Sequence, residues 1–337
     1  MDLMQSTRNK LIELLADTQE KYISGQQLSD ELNVSRNAIW KHMQELKRDG
    51  YIIEGIPRKG YKIISFPNKL SENTIQWGLN TKWLGQHIVH KNSTTSTQTI
   101  AHELAMDGAK HGTIVVADEQ TAGKGRMNRA WHSSKGKGIW LSLILRPAIL
   151  PHKAPQLTLL TATVLAHVIS ELGLQPYIKW PNDIIINNKK AAGILTEMKA
   201  EQDQIQYVVI GIGINVNQTI TDLPVEIQNI ATSLKIELQE SLIISELIQK
   251  LLSQFEKKYE QFIQFGFQTI KEIWEGYGFK IGEMITIKTM HEKWTGQFCG
   301  IAEDGALLVT NKLGEKTKLY SAEIDWFKKG ENGIVND

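Results

Sequence analysis

Two apolar runs of strand length, 113–117 and 139–145, are joined by a segment that cannot itself be core. Residues 118–131 hold Gly123 and Gly125, three cations (Lys124, Arg126, Arg129) within six residues, no β-branched residue after Thr121, and Trp131 at the end. Glycine lets the backbone bend and approach a ligand closely. The cations supply the charge that a phosphate or carboxylate needs. The pattern therefore demands a sheet with a loop between two strands, aimed at an anion. The spacing around Gly123 and Lys124 is not that of a P-loop, because the following Ser/Thr is missing and no helix opens there. Any nucleotide is held by a different device.

At 337 residues the chain is long enough for two or three domains. No apolar run reaches the roughly 18 residues that a membrane span requires. The N-terminus lacks the apolar stretch of a signal peptide, so a cytoplasmic location without membrane association is expected. Cys299 is the single cysteine, which excludes an intramolecular disulfide and a cysteine-rich metal site. The net charge of +1 means that any nucleic-acid affinity must come from a local patch.

Such a patch lies near the start. Residues 1–65 read as a winged helix-turn-helix domain. Leu11, Ile12, Leu14 and Leu15 share one helical face. Leu28, Leu32 and Val34 mark a second helix, and Ile39, Met43 and Leu46 a third. Ser24 and Ser35 stand at N-cap positions, and Asn33 suits a left-handed turn. The runs 51–53 and 61–64, joined through Gly55, Pro57 and Gly60, read as a hairpin. From Arg36 to Lys62 seven cations face three acids, net +4, whereas residues 1–35 carry net −3. Positive charge is thus concentrated on the third helix and the wing, where a duplex would lie. The candidate DNA contacts are Ser24, Ser35, Arg36, Asn37, Lys41, Arg58 and Lys59. A solvated helix face on a protein-binding winged helix is the alternative.

After a linker (66–84), residues 85–277 alternate short strands and helices. Strands are expected at 87–89, 113–117, 138–145, 177–179, 183–186, 192–197 and 207–214. Helices are expected at 97–106, 156–172, 241–262 and 267–277. Short strands with hairpin-length turns favour an α+β domain with a mixed sheet and helices on one side. Residues 278–330 hold four or five short strands, the pattern of a small SH3-like barrel. The polar tail after Lys329 is expected to fray.

Three further constellations accompany the glycine-rich loop. In Lys179-Trp180-Pro181-Asn182-Asp183, a cation precedes an acid by four residues, a pairing that suits a phosphate and Mg²⁺ or a simple ion pair. In Lys189-Lys190-Ala191-Ala192-Gly193, two lysines precede small residues that allow close packing. In 211–217, Gly211 and Gly213 on an apolar strand signal close approach to the backbone, and Asn215 closes the strand with an amide.

In order and spacing these motifs, with Ser96-Thr97-Gln98, resemble those of the bifunctional biotin–protein ligases that also repress biotin operons. The resemblance covers nearly the whole chain. The family loop is usually Gly-Arg-Gly-Arg; Lys124 here keeps the charge and loses the forked geometry. The resemblance implies activation of biotin by ATP to biotinyl-5′-adenylate, then transfer to a lysine of a biotin carboxyl carrier protein of acetyl-CoA or pyruvate carboxylase. The adenylate also serves as co-repressor for a homodimer on operator DNA. It implies biotin contacts from Ser96, Thr97, Gln98, Gln120, Lys124, Gly125, Arg126, Lys190, Gly193 and Gly211. Contacts to ATP or adenylate are implied for Arg126, Arg129, Trp131, Lys179, Asn182, Asn215 and Thr232. Arg126, Lys190 and Asp183 are implied as catalytic, and Asp183 with Asn215 as Mg²⁺ positions. No residue reads as a covalent nucleophile, so proximity and charge stabilisation carry the chemistry. A non-catalytic winged-helix sensor and a lipoate-type ligase are the competing functions. A nucleophilic thiol would favour octanoyl transfer, and Cys299 lies in the terminal block.

Overall fold

A computed structural model describes residues 7–326 except 18–20, 49, 66, 68, 78, 290 and 291; the tail expected to fray lies outside them. The chain divides into two compact units, one comprising residues up to 80 with 243–249, the other 81–242 with the residues from 250 onward. The first break falls inside the expected linker, which carries a short helix of its own. The central and terminal blocks, expected as separate domains, cluster as one unit.

The N-terminal unit contains α1 (Thr7–Asp17), α2 (Gly25–Leu32), α3 (Arg36–Arg48), β1 (Ile52–Ile56), β2 (Gly60–Ser65) and α4 (Glu72–Gln76). Ser24 Oγ accepts the Gln27 N–H at 3.1 Å and Ser35 Oγ accepts that of Ala38 at 3.2 Å, so both serines are caps. Asn33 takes φ 52°, ending α2, and Val34 lies beyond that helix, its N–H donating to Ser29 O. Leu11, Leu15, Leu28, Ile39, Met43 and Leu46 close one core, each burial stabilising by roughly 1.5–3 kcal/mol. The wing is stitched to Ile23, whose N–H and C=O both pair with Tyr61. Gly60 is required there: at φ 118° an added Cβ would lie 2.0 Å from Ile23 O.

The second unit holds β3 (Ile88–Lys91), α5 (Thr97–Met106), β4 (Ile114–Ala117), β5 (Gln120–Lys124), β6 (Ala130–Ser133), β7 (Gly138–Leu145), α6 (Ala154–Ser170), β8 (Tyr177–Lys179), β9 (Asp183–Ile186), β10 (Lys189–Glu201), β11 (Gln204–Asn215), α7 (Leu234–Leu238), α8 (Ile244–Phe265, its first turns belonging to the other unit) and α9 (Gln268–Tyr277). A seven-stranded mixed sheet runs β3-β4-β7-β11-β10-β9-β8, with only β3 and β4 parallel. Side chains alternate between its faces. Gly211 approaches Gln98 of α5, whereas Thr196, paired with Ile210, bonds Thr158 of α6. The helices therefore lie on both faces, contrary to the one-sided arrangement expected. α6 is buried on nearly all sides because it is sandwiched between the sheet and α9. Two of the threonines that interrupt its apolar run are satisfied within the helix, Thr161 and Thr163 donating to the carbonyls of Leu157 and Leu159. The buried Glu256 of α8 accepts the N–H groups of Lys82, Trp83 and Leu84 at 2.7–2.9 Å.

β12 (Met284–Lys288), β13 (Lys293–Ile301), β14 (Leu307–Thr310), β15 (Lys316–Leu319) and β16 (Glu323–Asp325) form the expected all-β module, an antiparallel sheet in the order β15-β14-β13-β12-β16. Trp180 Nε1 donates to Gly305 O at 3.2 Å and Gln156 Nε2 to Glu303 O at 2.9 Å, tying this module to the central sheet.

Candidate active site

One rung of the large sheet organises the site. Cross-strand pairing aligns Lys179 with Asp183, Asp183 with Gly193, Gly193 with Gly213, and Gly213 with Trp140. Two residues along, Leu195, Gly211, Ser142 and Val115 form the next rung on the same face. The middle of this face is bare backbone at Gly193, Gly211 and Gly213. Trp131 lies over it: an added Cβ would come within 2.9 Å of its ring at Gly193 and 2.5 Å at Gly213. The cleft above has a volume of about 1020 Å³.

Its first end is polar and neutral. Ser96 caps α5, its Oγ accepting the Gln98 N–H at 3.2 Å. Thr97 donates its N–H to Gln120 Oε1 at 2.8 Å, and its hydroxyl lies 2.9 Å from Ser142 Oγ. Ser142 Oγ donates to Gln98 Oε1 at 3.0 Å, and Gln120 Nε2 donates to Ser133 Oγ at 2.9 Å. Ser96, Thr97, Gln98, Gln120 and Ser142 line the cleft beside β5 and β6, which pair as a small hairpin rather than the loop expected. The turn between them is a 3₁₀ segment, Arg126–Asn128, with Met127 at φ 55°.

The second end is cationic. Lys190 Nζ stands 2.7 Å from Asp183 Oδ1 and 5.1 Å from the centroid of a Trp131 ring. Arg126 Nη1 donates to Asn182 Oδ1 at 3.2 Å, while Asn182 Nδ2 donates to Ile194 O. Burial holds Lys179 below the ordinary lysine pKa; Asp183 opposes this, and Lys190 and Arg129 add to it. The two ends lie about three strands, or ~14 Å, apart. An elongated molecule with a neutral polar head and an anionic tail fits this spacing.

Three sequence profiles match the chain in order. An HTH domain covers residues 7–62, the Biotin/lipoate A/B protein ligase family covers 91–215, and a Biotin protein ligase C terminal domain covers 280–325. The Bifunctional ligase/repressor BirA of Bacillus subtilis is 49% identical over 96% of this chain and 99% of its own length. The chain belongs to the bifunctional ligase/repressor family. The Escherichia coli member is 30% identical over 93% of this chain and 97% of its own. The biotin protein ligase of Aquifex aeolicus, solved in complex with biotin and ATP, is 28% identical with a TM-score of 0.63, covering 71% of this chain and 98% of that one.

In this ligase/repressor nearly every expected site residue lines the one cleft, including Lys124, Gly125, Arg129 and Asn215. Thr232 does not. It is fully buried, and its hydroxyl donates to Glu237 Oε1 at 2.5 Å. Its neighbours Leu223, Ile227, Ile230 and Ala231 form the wall instead. Leu223, Ile227 and Ile230 went unnoticed because isolated apolar residues in a loop carry no periodicity. Asn215 is also committed: its amide donates to Thr232 O at 2.9 Å and accepts from Gln218 Nε2 at 3.2 Å. Asp183 is paired with Lys190, and no cluster of three acidic, histidine or cysteine side chains able to hold a metal ion occurs among the described residues. The donors present do not make a resident Mg²⁺ site. Ser142 was missed, although a single serine within the apolar run 138–145 is a visible signal.

On α3, Arg36 is exposed at the first turn, and Asn37 and Lys41 are exposed on the side away from the buried Ile39, Met43 and Leu46. Trp40, which sequence reasoning passed over, is 58% exposed among them. Arg58 (φ 67°) and Lys59 are exposed at the wing turn. Ser24 and Ser35 use their oxygens as caps, leaving each O–H free to donate outward.

Proposed function

We propose that this chain joins biotin to a lysine of a biotin carboxyl carrier protein at the expense of ATP, and represses biotin genes when the intermediate is bound. The observation that carries the reading is the pairing of a neutral hydroxyl and amide pocket with a cationic cluster across a glycine floor. Biotin's ureido group is neutral and its valerate ends in a carboxylate, so the molecule matches both ends. In the first step a carboxylate oxygen attacks the α-phosphorus, forming the acyl-adenylate and releasing pyrophosphate. Both reactants are anions, and Lys190, Arg126, Lys179 and Arg129 screen their approach and the charge at phosphorus. Any Mg²⁺ would be held chiefly by the nucleotide's own phosphates and would add to the screening of their charge. In the second step the carrier's lysine amine attacks the anhydride carbonyl and AMP leaves. Proximity supplies much of the rate. Cys299, bonded near Thr310 in the terminal module, has no part in this chemistry.

For repression, the basic faces of α3 and the wing suit a phosphate backbone, with Arg36, Asn37, Lys41, Arg58 and Lys59 as contacts. Ordering of the β5–β6 hairpin on the adenylate favours a homodimer that presents two winged helices to an operator. Such a protein acts in the cytoplasm; among the described residues no helix is long and apolar enough to cross a membrane. One preparation tests both activities: transfer of labelled biotin to a carrier fragment and gel shift of operator DNA, each with and without biotin and ATP. Absence of transfer, or DNA affinity indifferent to biotin plus ATP, would overturn the corresponding half.

A further inference from the structure

The neutral end of the cleft is polarised by a carboxylate outside it. Gln98 and His102 lie one turn apart on α5, and both reach Glu197 Oε2 on β10: Gln98 Nε2 at 2.9 Å and His102 Nε2 at 3.2 Å. The Gln98 amide nitrogen also faces the carbonyls of Val209 and Leu195 at 3.3 and 3.5 Å. A carboxylate and two carbonyls can only accept, so the NH₂ must point at them and Oε1 must point into the cleft. There it accepts the Ser142 hydroxyl hydrogen at 3.0 Å. Ser142 Oγ is left with lone pairs alone. The single Thr97 hydroxyl hydrogen is taken up between Ser142 Oγ at 2.9 Å and Gln120 Oε1 at 3.1 Å. Two hydroxyls that could have served as donors therefore present acceptors to whatever enters. His102 is steadied in turn by Tyr207, whose hydroxyl is 3.4 Å from Nδ1 and whose ring stands edge-on to the imidazole.

We infer that Glu197, held by His102, is a positioning residue that fixes the direction of this hydrogen-bond chain and so tunes the cleft for a ligand head that donates N–H groups. The inference rests on the biotin reading above, since a ureido ring supplies such donors. With Glu197 made neutral, only the longer contacts to the Val209 and Leu195 carbonyls hold the Gln98 amide, and a larger fraction of it turns over. Ser142 would then accept from Nε2 and offer its own hydrogen to the ligand, meeting an N–H with an O–H.

Glu197→Gln keeps size and removes the obligatory acceptor. Because Glu197 is nearly half exposed, the expected loss is modest, a rise in biotin KM of about five- to tenfold. kcat and the KM for ATP should stay within twofold. Discrimination between biotin and an analogue N-methylated on the ureido ring should shrink. Ser142→Ala removes the link between Glu197 and the ligand, so Glu197→Gln added to it should have no further effect on biotin KM. An unchanged biotin KM in Glu197→Gln overturns the inference, as do parallel rises in both KM values or full additivity with Ser142→Ala. His102→Gln gives a second reading should Glu197→Gln fail to fold: an unchanged biotin KM there also overturns it. Wild-type protein that forms no adenylate would instead sink the biotin reading itself.

Discussion

Lys190 Nζ lies 2.7 Å from Asp183 Oδ1, an ion pair across the β9–β10 hairpin at the cationic end of the cleft. The pair holds the ammonium where an incoming anion can take it over, so the charge needs no reorganisation when the reactants meet. Lys190→Gln is expected to lower the adenylation rate by about 10²–10³-fold, the range for loss of one preorganised donor. Pyrophosphate release measures this, and thermal unfolding should shift by no more than a few degrees because the pair is partly exposed.

Arg126 bridges the hairpin turn to Asn182. Arg126→Ala should leave a folded protein that forms adenylate poorly or releases it early. A filter-binding chase of labelled adenylate reads the dissociation rate, and retention equal to wild type would sink the assignment.

Lys179 carries a pH prediction. Its folded pKa is lowered, so its proton departs at a lower pH than that of an ordinary lysine. Adenylation should fall as pH rises through that value. Lys179→Arg, which stays charged, should move the fall upward. The folded state binds this proton less tightly than the unfolded chain does, so the group costs stability below its folded pKa. That cost is relieved as pH rises from there toward the normal lysine pKa. A rate profile insensitive to Lys179→Arg would refute the role.

Gly213→Ala places a methyl group 2.5 Å from the Trp131 ring. Overpacking of this kind costs about 1–3 kcal/mol, and the indole is the part able to move. Trp131 should leave the floor, changing tryptophan emission and speeding adenylate dissociation. Identical emission and dissociation would show that the ring is not seated there.

Lys41 lies on the exposed face of α3. Lys41→Ala should weaken binding to all duplexes alike and reduce the slope of log affinity against log salt by about 1. Asn37→Ala should instead relax sequence preference at constant slope. Titrations at several salt concentrations separate the two.

Much of this was legible in the chain. The strand Gly138–Leu145 and the helix Thr97–Met106 fall where the residue pattern puts them, because one is apolar but for Ser142 and the other opens on a capping serine. The cation cluster was legible because lysine and arginine beside glycine have few structural uses. The β5–β6 hairpin was not, since an exposed ribbon shows no buried alternation. The side of the sheet on which α5 lies depends on cross-strand register, which no local pattern encodes. Glu197 was invisible for the same reason: it reaches Gln98 from 99 positions away.

The glycine floor beneath Trp131 limits how this site can change. Main chain offers no side chain to exchange, and any substitution there can only add bulk beneath the indole. New ligand preferences must therefore arise at the two ends and in the hairpin above. By the same token, an inhibitor resting on that floor would touch a surface from which resistance cannot easily be carved.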